Sequence, residues 1–98
     1  MPQSLSCILV SNSTTVDTGY DVYFTDTSLN PIVLILPTIT GDGTHFRFRN
    51  IDVNFTLNST IITAAPGNTI EGQLTYQLPT GLFIHIVALG TNWYLISG

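Results

Sequence analysis

The chain has 98 residues, enough for one domain, and only 8% of them are charged, against about a quarter in an ordinary soluble domain. Two arginines, no lysine and a net charge of −4 argue against nucleic-acid binding that rests on neutralising phosphates. Threonine, isoleucine and valine together supply 32 residues while alanine supplies three and glutamate one, which speaks against a helical domain and for a β domain.

The apolar runs are short, alternating and separated by turn residues, as strands require. Leu5–Val10 comes first and is followed by a polar stretch, Ser11–Thr15. Tyr20–Thr25 is next, broken by residues 27–31. Ile32–Leu36 is continuously apolar between Pro31 and Pro37, which reads as a strand buried on both faces. Gly41-Asp42-Gly43 marks a turn. In Thr44–Asn50, Phe46 and Phe48 face one way while His45, Arg47 and Arg49 face the other. In Ile51–Leu57 the apolar residues are Ile51, Val53, Phe55 and Leu57. The phase therefore slips from even to odd, and a bulge or turn near Arg49-Asn50 is expected to absorb it. Thr60–Ala64 ends at the turn Ala65-Pro66-Gly67-Asn68. Gln73–Leu78 ends at Pro79-Thr80-Gly81. Leu82–Leu89 is long and apolar, with His85 inside it, and Gly90-Thr91-Asn92 turns the chain into Trp93–Ser97.

About eight to nine short strands at this spacing predict one all-β domain over residues 1–98, an antiparallel sandwich or jelly roll. Leu36-Pro37-Thr38 and Leu78-Pro79-Thr80 hint at a duplicated half. Cys7 stands alone, so no intramolecular disulfide or thiolate metal cage can form, and a buried, inert thiol is expected. Met1–Ser4 lacks a positive segment, the first apolar run is too short for a signal-peptide core, and no run reaches the about 20 residues of a membrane helix. A soluble chain made in a reducing compartment is expected, with no membrane partner. The Asn-x-Ser/Thr sequons at Asn12, Asn54 and Asn58 are within chance for so Thr/Ser-rich a chain.

Eight charged side chains are few for the surface of such a domain, and sheet edges are usually guarded by lysine. Two strands also read as buried on both faces. The expectation is an obligate homo-oligomer whose copies cover one another.

Asp17-Thr18-Gly19, in an all-β chain of this length, resembles the retroviral-type aspartic protease monomer, in which two chains each donate a carboxylate. The neighbourhood departs from that family: Ser13–Val16 precedes the triplet, Tyr20 follows it, and no Gly-Arg-Asn/Asp segment occurs near the C-terminus. A turn before the next strand is the preferred reading. The stripe His45, Arg47, Arg49 can either meet an anion such as an acidic glycan or pair with acids, Asp42 and Asp52 being nearest. Ion pairing is the preferred reading. His85 reads as a hydrogen-bonded core histidine. Tyr20, Tyr23, Tyr76, Trp93 and Tyr94 can stack on sugars but equally fill cores and subunit seams. The candidate ligand residues are therefore His45, Arg47, Arg49, Trp93 and Tyr94. No nucleophile–base pair, phosphate loop or metal cluster is visible, so no enzyme, cofactor or metal is expected.

The order Leu36-Pro37-Thr38-Ile39, Gly41-Asp42-Gly43, the strand His45–Asn50 with Ile51-Asp52, Thr69-Ile70-Glu71-Gly72, and Gly90-Thr91-Asn92-Trp93-Tyr94-Leu95-Ile96 is similar to small β-domains of bacteriophage tail-fibre and large DNA-virus fibre or spike proteins. The motifs are short and degenerate, and they run from about Asp17 to Gly98. The resemblance implies a homotrimeric virion-surface module, a fibre, spike or capsid-decoration piece assembled in the host cytoplasm. Its partners would be its own copies, other virion proteins and a host-surface glycan for attachment, with Trp93 structural. The chain departs from long fibres in having no repetitive shaft and no Gly-X-Y tract. A stand-alone carbohydrate-binding module is the alternative expectation.

Overall fold

A computed structural model describes residues 6–17, 19–51 and 58–97. Among them the protein is all β, with no helix. The ten strands are β1 (Cys7–Val10), β2 (Thr14–Thr15), β3 (Val22–Thr25), β4 (Ile32–Ile35), β5 (His45–Asn50), β6 (Thr60–Thr63), β7 (Thr69–Ile70), β8 (Thr75–Leu78), β9 (Phe83–Leu89) and β10 (Asn92–Ser97). They form two sheets. The larger has the order β1-β3-β5-β9-β10-β7 and the smaller β2-β4-β6-β8.

The first six strands alternate between the sheets, so each strand meets its neighbour only after the chain has visited the opposite sheet. The result is parallel stacking: Cys7 lies beside Val22, and Val22 beside Arg47. In the smaller sheet Thr14 lies beside Leu34, and Ile32 beside Thr60. A parallel pair needs a long crossover, and here the strand of the other sheet supplies it. The C-terminal part closes differently, with β8 antiparallel to β6, and β9 antiparallel to both β5 and β10.

This solenoid-like winding corrects the expected antiparallel sandwich or jelly roll. Side-chain alternation has the same period in parallel and antiparallel strands, so it could not distinguish them. The stacking interval is also uneven. Fifteen residues separate Cys7 from Val22 and twenty-five separate Val22 from Arg47, so no fixed repeat marks the chain. The expected duplication does not appear either. Leu36 follows β4 and Leu78 ends β8, and these strands run in opposite directions on the two sides of β6.

One core lies between the sheets. Tyr23, Phe46, Phe48, Ile84, Ile86 and Trp93 enter it from the larger sheet, Ile32, Leu34, Ile62 and Leu78 from the smaller. Edge-on ring contacts join Tyr23 to Tyr20 and Phe46, a geometry aromatic quadrupoles favour. Two polar ties cross the core. The hydroxyls of Thr25 and Thr60 are hydrogen-bonded at 2.6 Å. Asn50, fully buried, accepts from the Thr27 hydroxyl at 3.0 Å and donates to the carbonyls of Leu78 and Asn58 at 3.2 and 3.3 Å. β5 therefore keeps its even phase through Asn50, and the inward position after Phe48 holds an amide. The expected strand Ile51–Leu57 lies outside the described residues beyond Ile51.

The two continuous apolar runs are not buried on both faces within one chain. Ile32, Leu34 and Leu36 point inward, but Val33 and Ile35 are 37% and 44% exposed. Ile84, Ile86 and Ala88 point inward, while Leu82, Phe83 and Leu89 are exposed. Cys7 is likewise exposed, because β1 is an edge strand and its odd positions face solvent. The buried thiol expected from the sequence is corrected accordingly.

The turn between β7 and β8 uses backbone that favours glycine. Glu71 and Gly72 have φ of 49° and 79°, and Ile70 and Gln73 exchange both backbone hydrogen bonds around them at 2.7 and 2.8 Å. This is the geometry of a two-residue primed turn, for which Asn-Gly is the favoured pair. Glu71 is held there because its amide donates to Trp93 O at 2.9 Å and its carboxylate accepts from Leu95 N–H at 2.8 Å. Asn92 completes the arrangement by accepting from the Thr69 hydroxyl and the Gly72 amide.

Candidate functional site: a basic, aromatic depression on the larger sheet

The outer face of the larger sheet follows directly from its register. Across β1, β3, β5 and β9 one row reads Cys7, Val22, Arg47, His85, and the next reads Leu9, Phe24, Arg49, Phe83. A third row contains His45, Val87 and Tyr94. A depression of about 250 Å³ opens on this face, with Val22, Phe24, Arg47, Arg49, Phe83 and His85 among its walls. Both arginines and both histidines of the chain thus stand on one surface.

The imidazoles of His45 and His85 meet across β5 and β9, with Nδ1 of the first 3.0 Å from Nε2 of the second. Burial holds the His85 pKa below its usual 6.5, and the positive charges of Arg47 and His45 lower it further. His85 is therefore hydrogen-bonded as expected, but it lies on the outer face, half-buried, and not in the core. Its place in an apolar run misled the reading, because that run is exposed on alternate positions.

The preferred expectation that Arg47 and Arg49 pair with nearby acids is corrected for the described acids, Asp42 included, while Asp52 lies outside the described residues. Every described carboxylate accepts a hydrogen bond from a backbone N–H. Asp17 takes Gly19 at 2.6 Å, Asp21 takes Ser6 at 3.1 Å, Asp26 takes Ser28 at 3.1 Å, Asp42 takes Gly90 at 2.8 Å, and Glu71 takes Leu95. Asp17 and Asp26 close turns two residues on in this way, whereas Asp21, Asp42 and Glu71 reach amides 15, 48 and 24 residues away. Among the described residues neither guanidinium has an ion-pair partner.

The Asp17 side chain closes a turn onto Gly19, and its backbone is clamped by the Tyr23 hydroxyl, which accepts from Asp17 N–H at 2.9 Å and donates to Asp17 O at 3.0 Å. The turn reading of this segment accounts for both contacts, with Thr18 outside the described residues.

Of the five candidate ligand residues, Arg47 and Arg49 line the depression and His45 touches it through His85. Tyr94 shares the outer face at 44% exposed but stands on β10, beyond β9. Trp93 is 0% exposed, so its ring faces the core against Phe46 and not a ligand. Among the described residues its Nε1–H has no hydrogen-bond partner. Phe24, Phe83 and Val22 were not singled out from the sequence. Alternation places Val22 and Phe24 opposite Tyr23, but only the pairing of β3 and β9 against β5 brings them to the arginines. No protein-family model matches the chain, and no curated protein sequence matches it.

Proposed function

We propose that the chain is a self-assembling structural module of a virion surface, a homotrimeric fibre, spike or capsid-decoration piece. One observation supports self-assembly above others: the outer face of the smaller sheet carries no charged residue. Its rows read Val33, Ile61, Gln77 and Thr15, Ile35, Thr63, Thr75. An uncharged surface rich in β-branched residues gains about 25 cal/mol per Å² of apolar area when a second copy covers it, and interface centres are depleted of charge in the same way. The viral setting, the copy number of three, the virion partners and host attachment rest on the likeness of the Leu-Pro, Gly-Asp-Gly and Gly-Thr-Asn-Trp segments to fibre and spike domains.

The test is the mass of the purified chain in solution by light scattering, alone and with Ile35→Lys. The expected result is a species about three times the 10.7 kDa chain, which Ile35→Lys lowers toward a single chain without loss of the β-sheet circular dichroism signal. A stable 10.7 kDa species at micromolar concentration sinks the proposal.

The second reading, a carbohydrate-binding module acting as a monomer, draws on the basic depression. It predicts glycan binding by a single chain, lost in Arg47→Ala. Trp93→Ala does not probe binding, because that ring is in the core.

A further inference from the structure

The depression on the larger sheet has a chemistry of its own, independent of how copies assemble through the smaller sheet. Its charge is unbalanced. The chain has net charge −4, yet its only two arginines stand two residues apart on one strand face, beside both histidines. Each described acid accepts a hydrogen bond from a backbone N–H elsewhere, and none of them pairs with either guanidinium. A guanidinium presents a rigid fork of donors that matches a carboxylate. Apart from Ser97 the remaining walls are apolar, Val22, Phe24 and the exposed ring of Phe83 foremost. His85 adds a neutral imidazole at the rim.

A bare inorganic anion would satisfy the guanidinium groups and leave the aromatic walls wet. A large apolar ligand would cover the walls and bury two charges without partners, which is costly. A ligand that carries one carboxylate on a ring-sized body answers both demands, and about 250 Å³ is room for a single ring. We infer that the outer face of β3, β5 and β9 is a binding site for a small ring-bearing carboxylate, held by Arg47 and Arg49 and seated against Phe24 and Phe83.

A sugar acid and an aromatic acid share this chemistry, so both serve as probes. The full-length chain, labelled with ¹⁵N, is titrated with N-acetylneuraminic acid, with benzoate and with inorganic phosphate up to about 10 mM, the range in which millimolar affinity is measurable. The expected result is saturable amide shifts centred on β3, β5 and β9 with at least one of the two carboxylates. Phosphate should bind at least tenfold more weakly, and Arg47→Gln and Arg49→Gln should each weaken carboxylate binding about tenfold. Saturation by N-acetylneuraminate alone identifies the sugar-acid source, and by benzoate alone the aromatic one. The inference is overturned if neither carboxylate saturates, if phosphate binds as tightly as both, or if the glutamine variants, folded by their amide spectra, bind unchanged.

Discussion

Nδ1 of His45 and Nε2 of His85 lie 3.0 Å apart across neighbouring antiparallel strands, a contact that requires one ring to donate and the other to accept. At least one imidazole is therefore neutral, and burial together with the charges of Arg47 and His45 depresses the pKa of His85.

This arrangement has a pH consequence with a definite sign. The folded-state pKa of His85 lies below its unfolded value of 6.5, so the unfolded chain binds more protons in the interval between them. Stability then rises with pH through that window, is fully present above 6.5 and is lost as pH falls through the folded pKa. Urea midpoints measured from pH 8 down to 5 should decline below about 6.5, and His85→Asn should flatten the decline. An unaltered slope in that variant would show that other groups cause it.

The amide of Asn50 ties β5 to β8 and to the segments around Thr27 and Asn58. Asn50→Ala leaves the Thr27 hydroxyl and the Leu78 carbonyl without this partner in the core. The expected loss is about 2–4 kcal/mol, read as a lowered urea midpoint. A loss under about 0.5 kcal/mol would mean that water replaces the amide.

Between the sheets, Thr25 and Thr60 form a hydroxyl pair at 2.6 Å. Valine at position 25 strands the Thr60 hydroxyl, and valine at position 60 leaves the Thr25 hydroxyl only the Arg49 carbonyl at 3.4 Å, whereas valine at both removes the need for a partner. The double variant should therefore be less destabilised than the sum of the singles, by about 1 kcal/mol. Additive losses would argue that the two hydroxyls act independently.

Trp93 fills the core, and among the described residues its Nε1–H goes unpaired. Truncation to alanine should cost about 3–5 kcal/mol through the cavity. Trp93→Phe keeps much of the ring and removes the unpaired donor, so its cost should fall well below that of alanine. Thermal melts by circular dichroism compare the two, and equal losses would show that the indole shape alone matters.

Cys7 stands exposed on the edge strand of the larger sheet. Native chain should react with a maleimide at a rate close to that of urea-unfolded chain. Because the proposed assembly uses the smaller sheet, the rate should be the same in the Ile35→Lys variant. Protection of Cys7 that disappears in that variant would move the interface to the larger sheet.

Much of the strand content was legible, because alternation of apolar and polar residues reports which face of a strand is buried. His45–Asn50 shows it best: Phe46 and Phe48 face inward and the two arginines outward, as their order dictates. The two-residue strands Thr14–Thr15 and Thr69–Ile70 were missed, since two residues carry no period. A bulge or turn was expected near Arg49-Asn50 because the apolar phase slips there, whereas β5 keeps its register through Asn50 and hydrogen bonds make burial of that amide favourable.

Local order in the chain by itself determined an all-β domain, the direction in which each side chain leaves its strand, and the scarcity of charge. Tertiary structure decided which strands are neighbours, and with that the site. Hydrogen bonding between strands is nonlocal and blind to side-chain period, so the parallel winding, the meeting of Arg47 and Arg49 with Phe24 and Phe83, and the approach of His45 to His85 exist only once β3, β5 and β9 lie side by side. The surroundings of the arginines were decided in the same way, because the described acids accept backbone N–H groups elsewhere in the fold.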